Sequence, residues 1–283
     1  ARAMATASRL RPRAPLLTLL LQAGFGVRCA CSTPQSLLIS CLFAHAMGES
    51  SIPPPRSVPG NTEHAVARVT RRNIYYALRH GQSKANVAHV ISSATEVAVQ
   101  KHGLTTAGKE MARRAASDVV AEARKNGCEG IVLCSSDFKR AWETAQAVRE
   151  AVHAAGVRTW PHNEVRVEIA LRERFFGDFD GGPDDAYERV WADDRCSADH
   201  TNFGVESVRS VLIRTVDLVN QIESEPHLKS TSRPWMVVFV AHGDVLQILQ
   251  THFAQIEPSA HRSLPHLETA KLRALSAVER PSA

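Results

Sequence analysis

Five side chains of this sequence have the chemistry to bind and transfer a phosphoryl group: Arg79, His80, Arg140, Glu173 and His242. A phosphate monoester is close to dianionic, so its transfer needs fixed cations, an in-line nucleophile and an acid for the leaving oxygen. Arginine supplies forked donors to phosphoryl oxygens, and a neutral imidazole can attack phosphorus near pH 7. A carboxyl group whose pKa is raised by burial can protonate the leaving oxygen. The residue types alone do not decide whether His80 or His242 attacks.

These candidates lie at or just beyond the ends of apolar runs. Arg79 and His242 come directly after such runs, and Arg140 follows a third run after a short polar segment. Continuous apolar runs are typical of strands that are buried on both faces of a parallel sheet. Ligands of such sheets bind at the carboxyl ends of the strands. The pattern therefore predicts that these side chains meet at one edge of a sheet.

Helical patterns alternate with the apolar runs. Strands are predicted at 74–79, 131–134, 165–170 and 236–241, and helices at 104–126, 140–155, 206–223 and 245–252. This alternation predicts βαβ units, and therefore an α/β fold: a three-layer α/β/α sandwich with a mainly parallel sheet. Residues 84–103 show little periodicity and are predicted to form a loop. Residues 181–204 are predicted to be an insertion or lid with one brief helix near 186–192.

The motifs around these candidates resemble those of the histidine phosphatase superfamily, in its phosphoglycerate-mutase-like branch. The matching stretches are Arg79-His80-Gly81-Gln82-Ser83-x-x-Asn86, Leu104-Thr105-x-x-Gly108, Ser135-Ser136-x-x-x-Arg140-Ala141-x-x-Thr144-Ala145, Leu171-x-Glu173-x-x-x-Gly177, Glu206-Ser207 and His242-Gly243. They occur in the order that the family has and span residues 79–243. The resemblance implies a phosphoglycerate-mutase-like fold and metal-independent phosphoryl chemistry without a cofactor.

The resemblance also implies a role for each matching residue. His80 resembles the nucleophile that becomes a phosphohistidine, which resolves the choice that the residue types leave open. The phosphate pocket is implied to consist of Arg79, Arg140 and His242, with Asn86 as a further contact. Glu173 resembles the proton donor, which later activates the attacking water.

Three functions are compatible with this resemblance: a phosphohydrolase, a phosphoglycerate mutase, and a catalytically weak scaffold of the same fold. After Glu173 the mutases continue with a His-Tyr-Gly and a Gln-Gly-Leu-Asn-Lys type of sequence, whereas this chain has Arg-Phe-Phe-Gly-Asp-Phe-Asp-Gly-Gly at 174–182. This departure favours the phosphohydrolase over the mutase. The second motif is His242-Gly243 and not the His-Asp pair of the phytase branch, so a phytase is not expected.

Some residues in this region have simpler interpretations. Glu206 precedes a predicted helix, where an acidic side chain is favoured by the helix dipole, so Glu206 and Ser207 are kept outside the site. The aspartates at 184, 185, 193 and 194 are interpreted as a solvated part of the insertion. The remaining histidines have no metal-ligand spacing, and no metal is predicted.

The positive charge of the chain is concentrated at one end. Residues 1–72 carry nine Lys and Arg against two Asp and Glu, whereas residues 73–283 carry 25 against 27. The basic isoelectric point therefore does not describe the body of the protein, and a nucleic-acid partner is not expected. The expected partner is a small phosphorylated metabolite. Cys128, Cys134 and Cys196 have no regular spacing, which indicates free thiols and not a disulfide framework.

The first segment is predicted to lie outside the catalytic domain. Residues 1–46 are rich in Arg and contain Ser and Thr but no acidic residue, which is typical of a plastid or mitochondrial transit peptide. The alternatives are a secretory signal, or translated upstream sequence ahead of a start at Met47 that would leave a cytoplasmic protein. The leucine-rich run at 16–21 is too short to span a membrane. We expect residues 1–72 to be a leader with a Pro-rich, disordered linker, and residues 73–283 to be the catalytic domain.

Overall fold

The computed structural model describes residues 71–275. Within them, a five-stranded sheet consists of β1 (Ile74–Arg79), β2 (Ile131–Ser135), β3 (Arg166–Val167), β4 (Met236–Ala241) and β5 (Leu272–Ala274). The order across the sheet is β3-β2-β4-β1-β5. Strands β1 to β4 are mutually parallel where they pair, and β5 runs antiparallel to β1. The predicted α/β fold with a mainly parallel sheet is confirmed.

The connections between the strands are helical. The α-helices are α1 (Lys84–Ala88), α2 (Thr95–Ala98), α3 (Thr106–Lys125), α4 (Lys139–Ala154), α5 (Tyr187–Cys196), α6 (Val208–Ser224), α7 (Pro226–Lys229) and α8 (Gly243–Ala254). Short 3-10 helices occupy Ile169–Leu171, Gly177–Phe179, Asp184–Ala186, Asn202–Gly204 and Pro258–Ser263. Among the described residues, no helix combines the length and the apolar character that crossing a bilayer requires.

Helices cover both faces of the sheet, which explains why its central strands are apolar throughout. Tyr76 and Val238 pack with helices α3 and α4 on one face. Tyr75 and Val237, one residue away on the same strands, pack with α6 and α8 on the other face. Successive side chains of a strand point to opposite faces, so burial of both faces leaves no place for a polar residue in β4. The result is the predicted three-layer sandwich.

The limits of the long helices follow from local sequence. Thr105 caps α3, because its hydroxyl accepts a hydrogen bond from the Gly108 amide at 3.0 Å. Past the ends of α3 and α4 the chain adopts positive φ at Gly127 and Gly156, of 60° and 64°. Only glycine adopts this conformation at little cost. The predicted ends of both helices are therefore within two residues of the observed ones.

Three expectations need correction. The predicted loop at 84–103 contains the short helices α1 and α2, which are too brief to show a helical period. The third predicted strand, 165–170, is reduced to the two residues of β3, because the chain then turns into a 3-10 helix. Strand β5 was not predicted, since its three residues form an exposed sheet edge with no apolar run. The predicted leader at 1–72 lies almost wholly outside the described residues.

Candidate active site

The carboxyl ends of β1 and β4 place two histidines side by side. The two strands are adjacent and parallel, with Arg79 opposite Ala241, and the amide of His80 donates to the Ala241 carbonyl at 3.0 Å. The rings of His80 and His242 meet edge to face, with their centroids 5.2 Å apart. Both side chains are buried. The predicted meeting of the strand ends is therefore observed.

The hydrogen bonds of His80 define its tautomer. Its Nδ1 lies 2.7 Å from the Gly81 carbonyl oxygen, which can only accept, so Nδ1 carries the proton. The Nε of Arg140 donates to His80 Nε2 at 3.1 Å, so Nε2 carries a lone pair. Burial lowers the pKa of His80 well below its usual value, and the charges of Arg140 and Arg79 lower it further. His80 is therefore a neutral imidazole whose Nε2 lone pair points towards Arg140.

The two arginines are held by neutral groups. Arg140 donates from Nη2 to the Ser92 carbonyl at 2.9 Å, and Arg79 donates from Nη1 to the Leu267 carbonyl at 3.0 Å. Within the described residues no carboxylate lies at ion-pair distance from either guanidinium, and the buried atoms Arg79 Nε and Arg140 Nη1 have no hydrogen-bond partner. Burial lowers the pKa of both groups, although arginine keeps its charge in proteins. An anion would supply the missing acceptors.

His242 packs against the ring of His80. Its Nε2 is 3.0 Å from the Ser136 hydroxyl, and its ring meets the edge of Phe138 with the centroids 5.1 Å apart. Burial lowers the pKa of His242 well below its usual value, with further contributions from Arg140 and His80. Its buried Nδ1 has no partner. We call Arg79, His80, Arg140 and His242 the cationic pocket.

Glu173 interacts electrostatically with Arg79 and Arg140 of the cationic pocket. It lies on the irregular segment after β3, where one of its carboxyl oxygens, Oε1, accepts a hydrogen bond from the Arg174 amide at 3.0 Å. Burial and the negative charge of Asp244 raise the pKa of Glu173 to about 7, although Arg140 and Arg79 act in the opposite direction. A carboxylic acid with this pKa can donate a proton near neutral pH and can accept one afterwards.

Two glycines and a threonine fix the loop that carries His80. A Cβ atom on Gly81 would lie 2.4 Å from the Gly108 carbonyl oxygen, and one on Gly108 would lie 2.0 Å from the Gln82 carbonyl oxygen. The Thr144 hydroxyl accepts from the Gly81 amide at 3.1 Å and donates to the Arg140 carbonyl at 2.8 Å. The motifs with Gly108 and Thr144 thus hold the His80 loop against α3 and α4, a role that sequence reasoning did not assign.

Asn86 has a structural function at the start of α1. Its Oδ1 accepts hydrogen bonds from the Ser83 amide at 3.0 Å and from the Ser83 hydroxyl at 2.9 Å. The Ser83 hydroxyl in turn accepts from the Asn86 amide at 3.2 Å, which completes a capping box. The contact between Asn86 and phosphate stays a prediction, and it would have to be made by the side-chain nitrogen.

The insertion contains a pair of stacked aromatic rings. The Tyr187 ring stacks on Trp191, with centroids 5.3 Å apart and planes inclined by 9°. The Arg262 guanidinium lies 3.6 Å from the centroid of the Trp191 ring. Burial and the charge of Glu173 raise the pKa of Tyr187, with a smaller lowering by Arg140. The sequence did not indicate this electrostatic interaction of Tyr187 with Glu173 and Arg140.

One interpretation of the insertion is wrong: Asp194 is not solvated. It is fully buried and accepts from Arg174 Nη1 at 2.6 Å and from Arg174 Nη2 at 2.8 Å. Asp244 and His261 complete a group whose potential ligand atoms lie within 4.8 Å of one another. Arg174 Nη1 is also 3.3 Å from Asp244, so a guanidinium already occupies the position between the carboxylates. We call Arg174, Asp194, Asp244 and His261 the ion cluster; its donor set fits an arginine better than a metal ion.

Glu206 and Ser207, which were predicted to lie outside the site, interact with residues of helix α6. Ser207 caps α6, and its hydroxyl accepts from the Ser210 amide at 3.1 Å. Glu206 pairs with Arg214 at 2.9 Å. Both interactions stabilise the start of the helix, and neither residue contacts the cationic pocket through a hydrogen bond or ion pair among the described residues.

Comparison with known proteins identifies a family and a named relative. A model of the histidine phosphatase superfamily (branch 1) matches residues 75–280. A 2,3-bisphosphoglycerate-dependent phosphoglycerate mutase of Xanthobacter autotrophicus is 29% identical over 191 residues, which cover 65% of this chain and 83% of that protein.

Solved structures with a similar fold include mycobacterial hydrolases. The structure of mycobacterial glucosyl-3-phosphoglycerate phosphatase in complex with VO3 has a TM-score of 0.55 and 25% sequence identity, and the match covers 71% of this chain and 90% of that one. A protein described as mycobacterial hydrolase 1 has the same TM-score with 26% identity, over 71% of this chain and 87% of that one. Both similarities cover most of the residues that the structure describes.

Proposed function

The chain belongs to the histidine phosphatase superfamily, branch 1, and we propose that it is a phosphohydrolase that cleaves a small phosphate monoester through a phosphohistidine on His80. One observation carries this proposal: Arg140 donates to the lone-pair nitrogen of His80, while buried donors of Arg79 and Arg140 and the Nδ1 of His242 have no hydrogen-bond partners. A phosphoryl group would supply oxygens to these donors and phosphorus to the lone pair. Positioning and charge stabilisation of this kind dominate phosphoryl transfer.

In the first step, His80 Nε2 attacks phosphorus, and the bond between phosphorus and the ester oxygen breaks. The tautomer with the proton on Nδ1 leaves a lone pair on Nε2, which exchanges its hydrogen bond from Arg140 for the bond to phosphorus, and the Gly81 carbonyl stabilises the positive charge that develops on the ring. Arg79 and Arg140 bind the phosphoryl oxygens as forked donors. Glu173 protonates the leaving oxygen, for which its pKa of about 7 is suited.

In the second step, water resolves the phosphohistidine. Glu173 is now a carboxylate and takes a proton from the attacking water, whose oxygen bonds to phosphorus as the bond to His80 Nε2 breaks. Inorganic phosphate leaves, and Glu173 is again protonated. The cationic charge for both steps comes from side chains of the chain itself, in keeping with a metal-independent reaction.

A phosphoglycerate mutase is the second candidate, because a relative of 29% identity carries that name. In that reaction a substrate hydroxyl, and not water, takes the phosphoryl group from His80. The hydrolase is favoured by the sequence at 174–182, which departs from the mutase pattern, and by the phosphatase among the solved relatives. That relative is named for a sugar-acid phosphate, so such compounds are the first substrates to test.

A phosphate-release screen tests the proposal. Purified protein is incubated with phosphoglycerates, glycosylated phosphoglycerates, sugar phosphates and phosphopeptides, with and without 2,3-bisphosphoglycerate and with and without a chelator. We expect chelator-insensitive release of phosphate from one class of small monoester, and none from His80→Asn. Interconversion of phosphoglycerates without net phosphate release would establish the mutase, and inactivity on every compound would favour the scaffold.

A further inference from the structure

Glu173 lies between two arginines that are each held by carboxylates. Arg174, on one side, belongs to the ion cluster. Arg172, on the other side, pairs with Asp137: its Nε donates to Asp137 Oδ1 at 2.9 Å, and its Nη2 donates to Oδ2 at 2.5 Å. These contacts use both carboxylate oxygens, a bidentate geometry that is among the strongest between an arginine and a carboxylate. We call these two residues the Asp137–Arg172 pair.

Asp137 lies on the loop between β2 and α4, between two residues that contact the histidines of the cationic pocket. The hydroxyl of Ser136 is 3.0 Å from His242 Nε2, and Arg140 donates from Nε to His80 Nε2 at 3.1 Å. An ion pair with Asp137 is therefore an attachment to the loop that contacts both histidines.

This loop is also fixed by contacts that do not involve the ion pair. The Ser136 amide donates to the Val240 carbonyl at 3.1 Å, and the Phe138 amide donates to the Ser136 hydroxyl at 3.2 Å. Arg140 lies in the first turn of α4 and donates to the Ser92 carbonyl at 2.9 Å. The sheet and the helix thus hold the loop in place whether or not the ion pair is present.

The segment on the other side of the pair is irregular. It follows the 3-10 helix Ile169–Leu171, and residues 172–176 belong to no helix or strand. Segments of this kind open more readily than regular elements, so side-chain contacts decide where they lie. Among the described residues, Arg172 is the cation at ion-pair distance from the buried carboxylate of Asp137. Without the pair, the segment keeps its attachment to the ion cluster and loses its attachment to the pocket loop.

We propose that Asp137 and Arg172 are positioning residues that fix the Glu173 carboxyl group relative to the cationic pocket. The proposal rests on the proposed function, because the position of Glu173 matters only if it donates a proton to the leaving oxygen. A general acid must lie within about 2.6–3.2 Å of the oxygen that it protonates. Displacement of a reacting group by about 1 Å lowers a rate by up to roughly 100-fold. Both residues occupy unspecified positions of the motifs at 135–145 and 171–177.

The chain offers a matched control pair. Arg209 and Asp199 form the same bidentate contact, with Nε 2.5 Å from Oδ1 and Nη2 3.0 Å from Oδ2, but both side chains are exposed. Asp137→Asn and Asp199→Asn therefore remove the same type of contact, with and without a connection to Glu173. If Asp137→Asn does not fold, Arg172→Lys replaces it, because lysine keeps a charge beside the buried carboxylate but cannot form the bidentate contact.

Kinetics with two phosphate esters test the proposal. An alkyl phosphate needs an acid for its leaving oxygen, whereas 4-nitrophenyl phosphate needs one much less. We expect kcat/KM of Asp137→Asn to fall roughly 30-fold for the alkyl ester and by less than about threefold for the nitrophenyl ester. Asp199→Asn should match the wild type on both. The double variant Asp137→Asn/Arg172→Gln should lose no more than Asp137→Asn alone, since both changes break one contact. Equal losses on the two esters, or no loss on either, would overturn the proposal.

Amide hydrogen exchange, measured by NMR, separates failure of this proposal from failure of the proposed function, because it needs no substrate. The Arg174 amide donates to Glu173 Oε1 and should exchange roughly tenfold faster in Asp137→Asn. The Ser136 amide, on the pocket loop, should keep its wild-type rate. If the wild type hydrolyses neither ester and this difference is observed, the proposed function fails and the attachment of Glu173 to the loop stands. Equal exchange of the Arg174 amide in wild type and Asp137→Asn would overturn the attachment itself.

Discussion

The cationic pocket and the ion cluster are both buried and both charged, but their charges are balanced in opposite ways. In the pocket, Arg79 and Arg140 are held by carbonyl oxygens, and buried donors remain without partners. In the cluster, the Arg174 guanidinium is fully buried against the carboxylates of Asp194 and Asp244. Along the chain, Arg174 of the cluster directly follows Glu173, the candidate proton donor.

This difference distinguishes a binding site from a structural one. A buried cation without a partner destabilises the folded protein unless a bound anion compensates its charge. The pocket retains two such cations around a neutral histidine, which prepares it for an anion. The cluster compensates its charges internally, so its contribution is to hold the segment that carries Glu173. Variants of the two regions test the comparison, because those of the pocket should lower activity and those of the cluster should lower stability.

The largest effect is expected for Arg140→Met. Removal of this donor should lower kcat/KM by roughly 10³-fold, because a preorganised cation at the transferred group is lost. The free energy of unfolding should not fall, since the variant removes a buried charge that lacks a carboxylate partner. Phosphate-release kinetics and chemical denaturation measure the two effects. A large loss of stability would show that Arg140 has a structural role instead.

The opposite result is expected for Arg174→Met. This change leaves two buried carboxylates without their cation, so the free energy of unfolding should fall by about 3–5 kcal/mol. Denaturant unfolding checks this value. Arg113→Met is the control, because Arg113 pairs with Glu110 at 3.5 Å on the exposed surface of α3, and it should change stability by less than about 0.5 kcal/mol. Similar losses in both variants would contradict the comparison.

A smaller effect on activity is expected for Gly108→Ala. The new Cβ would clash with the Gln82 carbonyl oxygen, so the loop that carries His80 must move, and kcat should fall roughly 10- to 100-fold. Gly156→Ala is the control: it has positive φ but no atom within 4 Å of its Cβ position. It should lower stability by about 1 kcal/mol and leave kcat unchanged. An unchanged kcat in Gly108→Ala would mean that the close packing of the two loops is dispensable.

The smallest effect is a pH-dependent change in stability when Glu173 is replaced. The pKa of Glu173 is raised in the folded protein from an ordinary 4.5 to about 7, so its contribution to stability is fully present below 4.5 and is lost as the pH rises through 7. Glu173→Gln should therefore raise the melting temperature at pH 8 relative to wild type, and by less at pH 5. Thermal unfolding at both pH values measures this difference. An equal change at both would show that Glu173 titrates normally.

The sequence predicts the cationic pocket better than the ion cluster for a physical reason. Each pocket residue follows a buried strand or begins the helix after it, and the strands are long apolar runs that sequence periodicity identifies well. The parallel sheet then brings their ends together. Glu173 was expected just beyond the predicted strand 165–170, but β3 is only two residues long and Glu173 follows a 3-10 helix.

The ion cluster could not be predicted from local pattern. Its members come from the irregular segment after β3, from α5, from α8 and from the 3-10 helix Pro258–Ser263, and only tertiary packing brings them together. Asp194 in particular lies among four aspartates of one insertion, and its burial follows from a partner 20 residues away. Strand β5 escaped prediction for a related reason, since its pairing with β1 and not its own sequence makes it a strand.

The most direct test of the proposed function is the detection of a phosphohistidine on His80. Wild-type protein is mixed briefly with a radiolabelled phosphate monoester, quenched in alkali and digested for peptide mapping. We expect label that is stable in alkali and lost in acid on the peptide that contains His80, and no label on His80→Asn. Label that persists in this variant, or that maps to the peptide with His242, would contradict the assignment of His80 as the nucleophile.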